Sequence, residues 1–151
     1  MGEGNAVKYR LLVVDDDKDN AELIVRTALR CGYESFPVYN ARTLREIIPH
    51  WQPHIISFDL GLPDVEGFEL LSALKSVQYS GELIIISGQP EWFRNRAAQF
   101  ASLSGLRVTA NLEKPINVGQ LRDLLTTAKA NMFLSLLKLR RTTNPEAKAK
   151  A

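Results

Sequence analysis

The chain has 151 residues, of which 45% are hydrophobic and 24% charged, and its formal net charge is +2. Those values fit one globular domain with short tails, long enough to bury a core. They give no support to a nucleic-acid binder or to a strongly acidic partner.

No apolar run approaches the ~20 residues of a membrane span. The first residues, MGEGNAVKYR, lack the basic-then-apolar order of a secretory signal, so residues 1–7 read as a loose tail. The single cysteine, Cys31, has no internal partner, which favours a reducing cytosol.

LLVV (11–14) is a short apolar run suited to a buried strand. From 20 to 31, Ala21, Ile24, Val25, Ala28 and Leu29 recur at helical spacing. Asp19 and Glu22 fit a capping box at its start, and Gly32 is a suitable stop. ESFPVY (34–39) reads as a strand, and Pro37, which cannot donate to a ladder, puts it at a sheet edge. A short helix runs from about Ala41 to near Pro49. HIISFD (54–59) is the third strand, and GFELLSALKSV (67–77) the third helix, with Phe68, Leu71 and Leu74 on one face. ELIIIS (82–87) is the fourth strand. PEWFRNRAAQFASL (90–103) is a helix with Pro90 in its first turn and Gly105 beyond its end. LRVTANL (106–112) is the fifth strand, and a last helix begins near Asn117.

Strand and helix thus alternate about five times, which argues an α/β domain doubly wound about a parallel sheet. Leu121, Leu124, Leu125 and Ala128 form the core face of the last helix. The apolar pattern then continues over 131–141 through Met132, Phe133, Leu134, Leu136, Leu137 and Leu139, joined by Lys138, Arg140 and Arg141. A receptive surface for a second copy, a partner helix, a linker, or a fold-back onto the same domain would each use such a stretch; a membrane-surface contact is disfavoured by its shortness. The tail 142–151 is polar and reads as disordered.

Asp15, Asp16, Asp17 and Asp19 crowd the end of the first strand. Two carboxylates about 4 Å apart repel by roughly 4 kcal/mol at a surface-like dielectric. Such a cluster persists if it is solvated, caps a helix or holds a cation. In open parallel sheets, sites form beyond the carboxyl ends of the strands. There the third strand ends on Asp59, the fourth on Ser87 followed by Gly88, and the fifth leads to Lys114 and Pro115. Taken singly, each has an ordinary explanation as loop solvation, cap or surface charge. Together they deliver acid, acid, hydroxyl and amine to one rim.

Hard oxygen donors without histidine or cysteine suit Mg²⁺. A carboxylate beside it can attack phosphorus, while a lysine and a hydroxyl hold the transferred group's oxygens. Gly88 leaves room for that group to enter. His50 and His54, around the turn WQP, have no ligand partners at metal spacing and read as structural or exposed. Cys31 reads as a small apolar group. No glycine-rich nucleotide loop follows the first strand.

The segments LLVVDDD, SFDLGLPDVEGFELL, LIIISG and EKPI together resemble those of the response-regulator receiver family, the phosphorylated switch domains of two-component signalling. The resemblance spans about 8–130. It implies a flavodoxin-like fold: a five-stranded parallel sheet in the order 2-1-3-4-5 flanked by five helices. It implies Asp59 as phosphoacceptor, and Mg²⁺ held by Asp16 directly, by Asp15 largely through water, by Asp59 and by the Gly61 backbone carbonyl. Ser87 would bond the phosphoryl group, Lys114 would pair with Asp59 or its phosphate, Lys114–Pro115 would be cis, and Gly67 would end the loop after the acceptor. Asp17 falls at a variable position and receives no role.

The implied partners are a sensor histidine kinase or phosphotransfer protein as donor and an output protein, with a homodimer contact as a further option, all in the cytoplasm. The chain would not be an enzyme beyond catalysing its own aspartyl phosphorylation and dephosphorylation. One departure stands out: the family usually has Tyr or Phe three residues before the lysine, and here that position is Asn111. Trp92, Phe93, Arg94 and Arg96 at the start of the fourth helix read as one core ring with solvated arginines, or as a partner surface.

The segment SGLRVTANLEKPI (104–116) is also similar to receivers joined to cyclic-di-GMP phosphodiesterase domains, although no Glu-Ala-Leu or Gly-Gly-Asp-Glu-Phe motif occurs. The chain reads as a stand-alone receiver or as part of something longer. Two other functions use similar residues. A phosphorylation-independent binding module would keep the fold without the chemistry. A phosphatase like the haloacid dehalogenase superfamily would use Asp15 as nucleophile and Asp17 as acid, but Lys18 stands at its usual Thr or Val position and its late acidic pair is missing.

Overall fold

The computed structural model describes residues 7–62 and 67–143. Five strands, β1 (Arg10–Val14), β2 (Glu34–Val38), β3 (Ile55–Phe58), β4 (Glu82–Ser87) and β5 (Arg107–Glu113), form one sheet in the order β2-β1-β3-β4-β5. Every pairing is parallel. The helices are α1 (Lys18–Arg30), α2 (Ala41–Trp51), α3 (Gly67–Ser76), α4 (Glu91–Leu103) and α5 (Val118–Thr143).

Alternation along β1 builds two cores. Leu12 and Val14 face one side and join α2, α3 and α4 through Leu44, Leu70, Leu74 and Ala97. Leu11 and Val13 face the other and join α1 and α5 through Ile24, Ala28, Leu121 and Leu125. A parallel sheet covered on both faces needs such doubly apolar strands. Pro37 sits on the edge strand β2, opposite Val13, where its missing N–H costs no central ladder bond.

Several local details differ from the expectations. Asp17, not Asp19, caps α1: its side chain accepts from the backbone N–H groups of Asp19 and Asn20. α2 passes Pro49 and ends at Trp51. The last turn is held from outside, since the Trp51 carbonyl accepts from Arg10 Nη1 at 2.7 Å and the Trp51 ring lies 4.5 Å from that of Phe36. α5 continues to Thr143, two residues into the segment expected to be loose. The rest of that tail, like residues 1–6, lies outside the described residues.

A bulge in β5 matters for the site. Leu83 pairs with Val108 but Ile84 with Ala110, so Thr109 is passed over and its hydroxyl donates to the Leu83 carbonyl at 3.3 Å. One extra residue inverts the facing of all that follow. Lys114 therefore arrives beside Ser87, its N–H donating to the Ser87 carbonyl at 3.1 Å.

Candidate functional site

Adjacent strands end at the same level, and this alone brings the carboxylates together. Asp15 follows β1 and donates its N–H to the Val38 carbonyl at 3.1 Å; Asp59 follows β3 and donates to the Val14 carbonyl at 2.9 Å. Both side chains are buried, with Asp15 only 1% exposed and Asp59 7%, whereas Asp16 is exposed. Oxygens of Asp15, Asp16 and Asp59 all lie within 4.8 Å of one another.

Lys114 reaches in from β5. Its Nζ lies 2.9 Å from Asp15 Oδ2 and 3.0 Å from Asp59 Oδ2. Burial pushes the Asp15 carboxyl above its usual range; the Lys114 hydrogen bond and the Asp17 backbone N–H, 2.9 Å from Asp15 Oδ1, oppose that shift only in part. Burial also works against the Lys114 charge, yet the hydrogen bonds and charges of Asp15 and Asp59 outweigh it, and its pKa is raised. One cation thus balances two buried acids.

Asp15 Oδ2 is buried, and the Lys114 ammonium is its partner at 2.9 Å. A buried carboxylate oxygen with a lone pair to spare, beside two more carboxylates, is a donor set of the hardness Mg²⁺ selects. The residues present fit that ion: Asp15, Asp16 and Asp59 through carboxylates.

Ser87 ends β4 fully buried, and its Oγ accepts the Gln89 N–H at 3.1 Å. The Gly61 N–H donates to Asp59 Oδ1 at 3.1 Å. A Cβ at Gly61 would make only ordinary contacts, at 3.6 Å with Asp59 Oδ1 and 3.7 Å with Gln89 Nε2. At Gly88 it would meet nothing within 4 Å, so the loop is open there. Gly67 is different: a Cβ would lie 3.0 Å from Leu60 Cδ2 and 3.2 Å from its carbonyl oxygen, so the chain closes tightly over Leu60. The Lys114–Pro115 bond is cis.

Every sequence-derived site residue therefore lies at this rim. Three further residues have roles here that the sequence reading did not give them. Asp17 is the α1 cap, a role that an acidic residue just before Lys18 could have signalled. Gln89 brings its amide towards Gly61. Arg94 is 6% exposed, so the reading of solvated arginines at the start of the fourth helix does not hold for it. Of its neighbours, Phe93 packs on Phe68 with ring centroids 5.6 Å apart, while Trp92 is exposed beneath Arg96. His50 is exposed, and Cys31 is half-buried at the end of α1.

The family model described as "Response regulator receiver domain" matches residues 11–126. The chain belongs to the response-regulator receiver family. A curated relative, sporulation initiation phosphotransferase F of Bacillus subtilis, is 22% identical over 114 residues, covering 76% of this chain and 88% of the relative. Among solved structures, a response regulator from Colwellia psychrerythraea is 27% identical with a TM-score of 0.73, covering 83% of this receiver and 99% of that chain. The signal receiver domain of a putative Luxo repressor protein from Vibrio parahaemolyticus is 26% identical with a TM-score of 0.70, over 85% and 98%. No helix among the described residues of this receiver is long and apolar enough to cross a membrane.

Proposed function

We propose that Asp59 takes a phosphoryl group from a phosphohistidine of a sensor histidine kinase or phosphotransfer protein. A carboxylate oxygen of Asp59 forms the new P–O bond, the P–N bond of the donor breaks, and the leaving imidazole takes up a proton. The observation that carries this reading is the convergence of Lys114 on Asp15 and Asp59 at 2.9 and 3.0 Å. It puts a fixed positive charge where a phosphoryl oxygen on Asp59 would lie.

Each residue has a part. Lys114 neutralises an oxygen of the transferred group, and Ser87, whose hydroxyl hydrogen rotates freely, donates to another. Asp15 and Asp16, with Asp59 and Gly61, would hold Mg²⁺, which supplies charge neutralisation for phosphoryl transfer. Lys114 and the Asp17 backbone N–H face buried Asp15 and favour its charged form against the effect of burial. The domain acts on itself and on no separate substrate. The phosphorylated state then biases a surface towards an output protein or a second copy, in the cytosol where such donors are made.

The test is intact-mass spectrometry after incubation with acetyl phosphate and Mg²⁺, beside Asp59→Asn. An adduct of one phosphoryl group on the unaltered protein alone is the expected result. An adduct retained by Asp59→Asn would point instead to an Asp15-based phosphatase chemistry. Failure to take up either acetyl phosphate or beryllofluoride would leave a phosphorylation-independent binding module.

A further inference from the structure

Asn111 stands on β5 where the family usually has a ring, and its side chain is engaged at both ends. Oδ1 accepts from Arg94 Nη1 at 3.0 Å, and Nδ2 donates to Asn95 Oδ1 at 3.0 Å. Arg94 projects from the first turn of α4 into the protein, and its Nε donates to the backbone carbonyl of Gln89 at 3.1 Å. Gln89 in turn gives its N–H to Ser87 Oγ at 3.1 Å. A continuous series of contacts therefore runs from the pocket hydroxyl, through one residue of the β4–α4 loop, to a buried guanidinium and on to β5.

The charge balance of this guanidinium is thin. Among the described residues its carboxylate contact is Glu113, 3.8 Å away with a side chain 69% exposed. A long contact to a solvated acid offsets little of the cost of burying a cation. What holds Arg94 inside is its pair of neutral acceptors, the Gln89 carbonyl and Asn111 Oδ1. A planar guanidinium has donors in fixed directions, so displacing either acceptor breaks the fit.

We propose that Arg94 is a positioning residue for the phosphoryl pocket, whose clasp on Gln89 and Asn111 holds the β4–α4 loop in its unphosphorylated arrangement and opens when the pocket fills. The proposal rests on the reading of Asp59 as phosphoacceptor. With a phosphoryl group on Asp59, the Ser87 hydroxyl and the Gln89 N–H are both drawn to its oxygens. Both groups flank the same Cα, so a displacement of the Gln89 backbone that brings its N–H to an anion also shifts the carbonyl that Arg94 holds. Released, Arg94 and Asn111 change the α4–β5 surface, which is how this chain transmits phosphorylation without the usual ring. By linkage, whatever strengthens the clasp weakens anion binding, and whatever removes it tightens binding.

The test is calorimetric titration of the full chain with beryllofluoride in excess Mg²⁺, at about 0.5 M salt to screen long-range charge effects. Arg94→Met removes the clasp with little change of volume and is expected to bind about fivefold more tightly; Asn111→Asp sets a carboxylate against the guanidinium and is expected to bind about fivefold more weakly. A purely structural role would shift both variants in the same direction or neither, and either result overturns the proposal. If Arg94→Met does not melt cooperatively, Asn111→Asp decides: binding equal to or tighter than the unaltered protein overturns it. If the unaltered protein takes up neither beryllofluoride nor a phosphoryl group from acetyl phosphate, the assignment of Asp59 has failed and this proposal falls with it. If it takes up both and the variants bind as it does, only the clasp is wrong.

Discussion

At the carboxyl end of the sheet, Lys114 stands between two buried carboxylates, 2.9 Å from Asp15 Oδ2 and 3.0 Å from Asp59 Oδ2. At the amino end, charge and polarity are just as dense but arranged otherwise. The Arg10 N–H donates to His54 Nδ1 at 3.0 Å and its Nη1 to the Trp51 carbonyl at 2.7 Å. The Tyr79 hydroxyl donates to the Glu82 carbonyl at 2.9 Å, and Arg107 pairs with Glu82 Oε1 at 3.1 Å. Tyr9 Oη, Arg10 Nε and Glu82 Oε2 there lack hydrogen-bond partners. They are spread over the starts of β1 and β4 and, among the described residues, join no cluster of acids. One end gathers charge about a shared space; the other fastens neighbouring strands to each other. The difference teaches that convergence, rather than charge or burial alone, marks the functional rim. A groove of about 770 Å³ at the amino end, lined in part by Tyr9, His54, Tyr79, Met132 and Leu136, does not alter that, since it lies away from the carboxylates.

The sharpest way to break the comparison is Lys114→Met. Loss of the one cation is expected to slow phosphoryl uptake from acetyl phosphate about 100-fold, by analogy with removing one preorganised transition-state donor. Mg²⁺ should bind more tightly to this variant, because the ammonium no longer competes for Asp15 and Asp59. Stopped uptake assays and Mg²⁺ titration check the two halves; an unchanged rate would mean that the convergence is structural.

Asp17→Ala separates the cluster into its parts. It removes the α1 cap and is expected to cost about 1 kcal/mol in urea unfolding. No loss of stability would show that the cap bonds to Asp19 and Asn20 carry nothing.

The smallest effect belongs to the amino end. Burial, helped by the Arg10 charge, lowers the His54 pKa below its ordinary value of 6.5. The unfolded chain then takes up the proton first. This contribution to stability is present above pH 6.5 and is lost as pH falls through the lowered value. His54→Gln should flatten the fall in stability between about pH 7 and pH 5 while leaving phosphoryl uptake as it was. Unfolding series at both pH values, with the uptake assay at neutral pH, measure this; a slowed uptake would mean that the two ends are not independent.

Much of this was legible in the sequence because it depends on strand ends. A parallel sheet delivers the residues after each strand to one rim, so Asp15, Asp59, Ser87 and Lys114 could be gathered by position alone. Pro37 marked its edge strand because a missing donor is a local fact. Long-range contacts set what was not legible. Pro49 signals a helix end, but Arg10 and Phe36 hold the extra turn through Trp51. Asp17 and Asp19 both satisfy cap chemistry, and only backbone geometry chooses between them. Arg94 reads as a surface residue until the loop carbonyl and Asn111 give it partners. Beyond Ala130, Phe133, Leu134, Leu137 and Leu139 are exposed on α5, so the apolar extension does not bury those residues on its own domain.

The most direct measurement is the position of the phosphoryl group itself. Borohydride reduces an acyl phosphate to an alcohol, so a phosphorylated aspartate becomes homoserine and can be located by peptide mass spectrometry. After treatment with acetyl phosphate and Mg²⁺, the account predicts homoserine at Asp59 and at no other aspartate. Homoserine at Asp15 or Asp16 would contradict it, and so would unreduced Asp59 in a protein that carries the adduct.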